Sequence, residues 1–407
     1  MRLSDSSLPH ALPRRQLAAL AASAVAAPVA ARLLGGGAAA AVPSTVASGS
    51  RLQLRPDPGS VVSALDVPLS GSAAPVAMRP VPGAVRTPVM ETTRFTLLGV
   101  TWRSGRATVR ARVRRTDGSW TPWRRLDELH DGPDPSTAEG RRTPHATAAT
   151  WVGPADAVQL ELAGTPEAPV LALVDGGRAE TDATAPAELL RSTVTRARRA
   201  PAPRMRSPWV WGANPRLRDG TSRLNRTLKQ VHVHHTASSN DYSRADVPAI
   251  IRSMYRYHTR SLGWSDIGYN FLVDRFGRIW VGRKGSARHL VRGAHTLGFN
   301  HASMGIAVIG NFEAHRPTDR ALSAIVRLAA WRLDFYDRDP RGTITVRSHG
   351  SDRFGAGRRV SLPVIDGHRD TNETACPGTY LYAELPGIRL RTARRIRRHK
   401  VVRRPER

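Results

Sequence analysis

The chain has 407 residues, with 62 Lys and Arg against 33 Asp and Glu, a formal charge of +29. That length allows two domains of ordinary size plus linkers, and a single cysteine, Cys376, excludes an internal disulfide. So cationic a chain adheres to anionic polymers by long-range attraction, but no helix-turn-helix, zinc-finger or RNA-binding signature accompanies the charge, so nucleic acid is not the expected partner.

Residues 1–41 carry Arg14-Arg15-Gln16-Leu17, an apolar run from Ala18 to Ala31 and small residues ending at Ala39-Ala40-Ala41. This pattern predicts an export signal of the twin-arginine type and hence a secreted, extracellular or wall-associated protein. Pro28 and Arg32 interrupt the run, which argues against a permanent membrane span. Residues 42–88, rich in Ala, Ser, Pro and Val without periodicity, read as a linker.

A β-rich accessory domain is expected over 89–176. Its predicted strands are Phe95–Trp102, Ala107–Val113, Ala148–Gly153, Ala157–Leu162 and Pro169–Val174, with Asp117-Gly118 as a turn. Trp120 and Trp123 read first as core or rim packing, with a glycan-stacking platform as the alternative. A second, basic linker follows over 177–206.

The third region, 207–399, alternates. Val231–His234, Asn270–Asp274, Arg278–Val281, Gly305–Gly310 and Val364–Gly367 read as strands, and Asp246–Thr259 and Thr318–Tyr336 have helical spacing of apolar residues. The fold class expected is α/β: a central mixed sheet flanked by helices, preceded by a small all-β sandwich-like domain. Residues 339–362 form a long insert with a flexible Gly355-Ala356-Gly357 segment at the edge of the expected cleft, and 400–407 are a basic tail.

The chemistry is concentrated in Val231-His232-Val233-His234-His235-Thr236 and, far downstream, Gly367-His368-Arg369-Asp370 with Thr374-Ala375-Cys376-Pro377-Gly378. Zinc accepts imidazole nitrogen and thiolate sulfur, and a catalytic site keeps three protein ligands with one position open. His234, His368 and Cys376 form such a set. Taken alone, Cys376 is more simply a small buried hydrophobe; the combination, and the need of an exported unpaired thiol for a use, favours a metal.

These stretches, with Trp211-Gly212-Ala213, the run Gly263 to Val273, Gly282-Arg283, Gly293-Ala294-His295 and Ser303 to Phe312, resemble the peptidoglycan recognition protein family, the zinc N-acetylmuramoyl-L-alanine amidases, over residues 206 to about 398. The β-rich region resembles the module often found before the catalytic domain in actinobacterial members. The resemblance implies Zn2+ on His234, His368 and Cys376, with His235 facing the cleft. Binding-only members lack the cysteine; a non-catalytic peptidoglycan-binding protein is the alternative function. Tyr269 and Thr374 match the groups placed beside the reacting centre. Gly263, Trp264 and Arg283 match the pattern for diaminopimelate-type stems, since a guanidinium binds the carboxylate by which diaminopimelate differs from lysine. His258, His295 and Asn300 match other substrate-facing positions. Core packing is the competing reading for Tyr269 and Trp264. Asp266 and Asp370 are candidates, by position, to orient the imidazoles. Expected partners are peptidoglycan or muropeptides, and anionic wall polymers by charge.

Overall fold

The computed structural model describes residues 51–186, 199–220 and 222–401. The predicted export signal, residues 42–50 of the first linker and residues 187–198 of the second lie outside them, as do residues 402–407.

Among the described residues the N-terminal domain is an antiparallel sheet of ten strands. They are β1 (Arg55–Pro56), β2 (Ser63–Pro68), β3 (Arg79–Val81), β4 (Ala84–Arg86), β5 (Met90–Trp102), β6 (Ala107–Arg115), β7 (Arg124–Arg125), β8 (His145–Ala146), β9 (Thr150–Gly164) and β10 (Val170–Asp175). A short helix, α1 (Ala138–Arg142), precedes β8. The main path runs β1-β2-β10-β5-β9-β4-β3, with β6 also on β9. Side chains of β6 alternate with the strand period of two. Val109, Ala111 and Val113 enter the core, while Arg110, Arg112 and Arg114 reach Glu161, Gln159 and Asp156 on β9.

Two expectations change here. Residues 51–88 are not a linker: β2 pairs with β10 along six residues, burying Val62, Val67 and Leu69. Short strands carrying Pro, Ser and Ala leave little alternation to read. The two strands expected over 148–162 are one long β9, whose register against β5 shifts near Phe95. Gly153-Pro154 breaks the apolar pattern, and a local irregularity rather than a loop absorbs it. Trp120 and Trp123 sit at the sheet's rim, with the Arg112 guanidinium over both rings at 4.9 and 5.1 Å.

The C-terminal domain is built on a mixed sheet of five strands among the described residues: β11 (Gln230–His235), β12 (Phe271–Val273), β13 (Ile279–Val281), β14 (Ser303–Val308) and, after a hairpin, β17 (Ile365–Gly367), in the order β13-β12-β14-β11-β17. The hairpin β15 (Thr343–Arg347) and β16 (Arg359–Pro363) accounts for the insert over 339–362. Strand β11 is parallel to both its neighbours and buried throughout. Val231 and Val233 join the core under helices α3 (Asp319–Phe335) and α5 (Leu385–Val401), so alternation turns His232 and His234 to the opposite face. Thr318 caps α3 by accepting the Ala321 N–H at 3.2 Å. A short α4 (Thr379–Ala383) closes the loop after β17. No helix among the described residues is long and apolar enough to cross a membrane.

The opposite face of this sheet packs on α2 (Val247–Arg256). Its Val247, Ile250, Ile251 and Met254 recur at i, i+3, i+4 and i+7. They belong to one apolar cluster with Leu97, Trp151, Ala172 and Val174 of the N-terminal domain. The two domains therefore share a core. Gly99 on β5 permits the approach: a Cβ there would lie 2.4 Å from the Tyr257 ring, whose hydroxyl donates to Thr147 O at 3.0 Å.

Arg252 of α2 locks the junction. Buried at 1% exposure, it donates to both Asp182 oxygens at 2.8 and 2.6 Å and to the Gly176, Gly177 and Trp211 carbonyls. Removing one partner of a fully hydrogen-bonded buried pair strands the other. Arg252→Leu should lower stability by about 3–5 kcal/mol in denaturant unfolding; a loss under about 1 kcal/mol would show the junction to rest on its apolar contacts alone.

Candidate metal centre

The strands deliver three donors to one point. His234 is the penultimate residue of β11, His368 opens a short 3-10 turn directly after β17, and Cys376 lies in the following loop. One ligand atom from each lies within 4.8 Å of the others, and all three residues are buried. His234 Nδ1 is 3.8 Å from Cys376 Sγ, and the His234 and His368 ring centroids are 4.6 Å apart. The His235 backbone N–H donates to Sγ at 3.4 Å, a contact that favours thiolate. Thr374 Oγ1 accepts the Cys376 N–H at 3.2 Å and so shapes the cysteine loop.

A chain of buried imidazoles stands behind the donors. His234 Nε2 lies 3.2 Å from His295 Nδ1, which leaves His234 Nδ1 for a metal once Nε2 carries the proton. His232 Nδ1 meets Asp366 at 2.5 Å, and its ring centroid lies 5.8 Å from that of His295. Asp266 instead accepts from the Ile267 and Lys284 amides, and Asp370 from Gly367 N and the Tyr382 hydroxyl. Neither orients a donor imidazole; His295 does that.

The cavity disfavours charge on the donors. Burial, then neighbouring imidazoles, push His234 well below the usual histidine value and His368 to about 3; burial also drives His235 to about 4 and lifts the Cys376 thiol. The imidazoles are thus neutral, with lone pairs to offer. A bound cation inverts the local logic for the thiol, which ionises when it coordinates. Two buried atoms, His368 Nε2 and Asp131 Oδ1, have no hydrogen-bond partner. Nitrogen, nitrogen and sulfur donors around uncompensated polar atoms fit zinc.

Two of these donors, His368 and Cys376, border a cleft of about 450 Å³ that His235, His258, Tyr269 and Thr374 also line. Tyr269, 5% exposed, has its ring centroid 5.5 Å from that of His234. His258 accepts the Gly268 N–H and lies beneath Trp264, centroids 4.5 Å apart. Trp264 is 1% exposed and donates its indole N–H to Thr143 Oγ1. Gly263, at φ +70°, is exposed. Arg283 lies in a separate cavity of about 220 Å³ together with Arg142, Arg223 and Arg292. His295 and Asn300 are fully buried, so they hold the walls from behind: Asn300 Oδ1 accepts from the His295 and Thr296 amides.

The residues that sequence reasoning missed come from the N-terminal domain. Asp131 accepts from the Tyr269 hydroxyl at 2.5 Å, and Glu139 of α1 faces Arg283 at 3.5 Å. Their one visible signal is the acidic run Asp127, Glu128, Asp131 and Asp134 inside an arginine-rich domain.

Residues 224–379 match the family described as N-acetylmuramoyl-L-alanine amidase, and 58–189 match the family described as Rv3811 N-terminal galactose-binding domain-like. Peptidoglycan-recognition protein SC1a of Drosophila melanogaster is 32% identical over 164 residues, 40% of this chain and 75% of its own length. The human N-acetylmuramoyl-L-alanine amidase is 36% identical over 176 residues, 42% of this chain but 26% of its own length. A solved structure of peptidoglycan recognition protein-LE in complex with tracheal cytotoxin, a monomeric diaminopimelic acid-type peptidoglycan, is 32% identical, covering 44% of this chain and 91% of that one with a TM-score of 0.35. Through its C-terminal domain the chain belongs to the peptidoglycan recognition protein family, matching the N-acetylmuramoyl-L-alanine amidase model over 224–379, and its N-terminal domain is similar to the galactose-binding-like family over 58–189.

Proposed function

We propose that the protein is a zinc-dependent amidase that hydrolyses the bond between the muramoyl lactyl group and L-alanine of peptidoglycan stems. The observation that carries this is the convergence of His234, His368 and Cys376 to within 4.8 Å beside an open cleft. The retained cysteine separates the chain from binding-only relatives of the kind that lack it. We place its action outside the cell, on the strength of the export pattern in residues 1–41.

Zinc held by these three residues would polarise an amide carbonyl and make water acidic enough to attack near neutral pH. The chain's own groups do the rest. Burial holds the Tyr269 phenol well above its ordinary value, so it keeps its proton and serves as a donor to oxygen charge developing at the carbonyl. Thr374 accepts from the Cys376 amide, leaving its own hydroxyl proton to point into the cleft as a second, neutral donor. Arg283 spends its Nε and Nη1 on the Ile267 and Arg292 carbonyls. The guanidinium is thereby fixed, with Nη2 turned toward the carboxylate in front of it. A side-chain carboxylate on the third stem residue is the group such a cation selects, which favours diaminopimelate stems.

Three outcomes test this reading. Cys376→Ser should remove stoichiometric zinc and turnover together while the N-terminal domain stays folded; full zinc occupancy in that variant, read by metal analysis, would reject the site. Tyr269→Phe should keep zinc yet lower kcat on muropeptides by roughly a hundredfold to ten-thousandfold, and an unchanged kcat would leave the tyrosine a packing residue. Wild type should cut diaminopimelate muropeptides faster than lysine ones by an amount on the order of 1.5–3 kcal/mol at most in kcat/KM. Arg283→Ala should abolish that difference by slowing the diaminopimelate substrate; equal wild-type values for both stems would sink the carboxylate clamp.

A further inference from the structure

The segment between β7 and β8, residues 126–144, leaves the N-terminal sheet, crosses the cleft and returns. It enters beside the metal donors at Asp131 and leaves beside Arg283 at Glu139. Asp131 is 10% exposed at its side chain. Its Oδ2 accepts from Tyr269. Its Oδ1 lies 3.6 Å from His234 Nδ1 and 3.4 Å from His368 Nδ1 and is buried with no hydrogen-bond partner. A carboxylate oxygen so desolvated among nitrogen lone pairs is compensated by a proton or by a cation. The spacings fit one: nitrogen and oxygen ligands at about 2.0 Å around tetrahedral zinc are about 3.3 Å apart, and nitrogen and sulfur about 3.5 Å. The Asp131 separations from the two imidazoles are 3.4 and 3.6 Å and that between His234 and Cys376 is 3.8 Å. Asp131 lies outside the set of three whose ligand atoms all fall within 4.8 Å of one another, so its carboxylate joins by closing on the metal from the side of the imidazoles.

The rest of the segment occupies the peptide side of the cleft. Glu139 Oε1 accepts from Ser265 N at 2.8 Å and Ser265 Oγ at 3.0 Å, and faces Arg283 Nη2. Thr143 accepts from the Trp264 indole. Asn300 Nδ2 donates to Gly132 O and Asp134 Oδ1. His130 Nδ1 pairs with Asp352 of the 339–362 insert at 2.5 Å. The residues that match stem recognition are thus occupied by the chain itself.

We propose that Asp131 is a fourth protein ligand of the metal and that residues 126–144 act as an internal occupant of the substrate cleft, Asp131 standing where the scissile carbonyl binds and Glu139 where a stem carboxylate binds. The protein is then latent as folded, and peptidoglycan must displace the segment to be cut. This rests on the metal centre proposed above. A metal with four protein ligands leaves no position for an outside ligand, whereas one with three does.

The test loads the full chain with cobalt(II) and follows its visible ligand-field spectrum on adding azide. Wild type should not respond to azide; Asp131→Ala should respond, and should bind zinc about tenfold or more weakly. Asp131→Asn, which keeps an acceptor for Tyr269, guards against a folding defect and should respond to azide as well. Glu139→Gln leaves the metal untouched and should tighten binding of a diaminopimelate muropeptide to the zinc-loaded chain by on the order of tenfold. An azide-responsive wild type, or equal muropeptide affinity in wild type and Glu139→Gln, would overturn the internal occupant while leaving the three-ligand centre standing. No cobalt spectrum in any of these proteins would overturn the centre and this assignment with it.

Discussion

Everything in this molecule depends on α2 being apolar enough to serve two domains. Its Val247, Ile250, Ile251 and Met254 lie in one cluster with side chains of both sheets, and Arg252 from the same helix clamps the end of the N-terminal domain through Asp182 and two glycine carbonyls. Separating the domains would expose that core and strand a buried cation, so their relative placement is rigid in a way that a tethered accessory module would not be. Rigidity has a consequence at the cleft. Strands β7 and β8, anchored in the N-terminal sheet, fix both ends of residues 126–144, and the C-terminal domain meets that segment at a set distance.

The second constraint is dielectric. Strand β11 is buried on both faces, yet the face opposite Val231 and Val233 carries Gln230, His232 and His234 rather than apolar residues. Such a strand is tolerable because each of these side chains has a partner: Gln230 and His232 share Asp366, and His234 leans on His295, while His232 Nε2 is left without one. Burial holds the Asp366 carboxyl up at about 6, with His232 as the main opposing influence. The same burial that makes the imidazoles neutral keeps the Cys376 thiol protonated, raises the Asp131 carboxyl to about 7 and leaves Asp131 Oδ1 without a hydrogen-bond partner. One divalent cation relieves all of them together, which is why the fit to zinc rests on several atoms rather than on one motif.

Much of the C-terminal sheet and its donor set was legible in sequence, because β11, α2 and α3 carry strong periods and the two histidine stretches are chemically unusual. What escaped reading has physical reasons. The strands over 51–88 are short and proline-bearing, so nothing in the chain announces that β2 pairs with β10 over a hundred residues later. His295 lies inside a glycine-rich loop, where no spacing rule places it behind His234. Asp131 and Glu139 are the extreme case. Their partners, His234, Tyr269 and Arg283, lie more than ninety residues downstream in another domain, and no local pattern distinguishes a carboxylate bound for a metal from one bound for solvent.

The distribution of charge bears on how such a cleft works. A chain of net charge +29 would attract the anionic wall polymers of the proposed setting at long range, but the field weakens within about a Debye length. Selection must then occur at short range. At that range the internal segment offers carboxylates, Asp131 and Glu139, against the same groups a stem would present its carbonyl and carboxylate. Because both lie on one segment, a ligand that displaces either end weakens the hold of the other, and the cleft passes between two states rather than opening by degrees. The population of the open state scales with the difference in affinity between substrate and segment. A long glycan strand that keeps many stems near the surface raises the local concentration of competitor and shifts that balance; a single soluble stem does so far less. Latency of this kind would direct cutting to assembled wall rather than to released fragments, with the internal carboxylates setting the threshold.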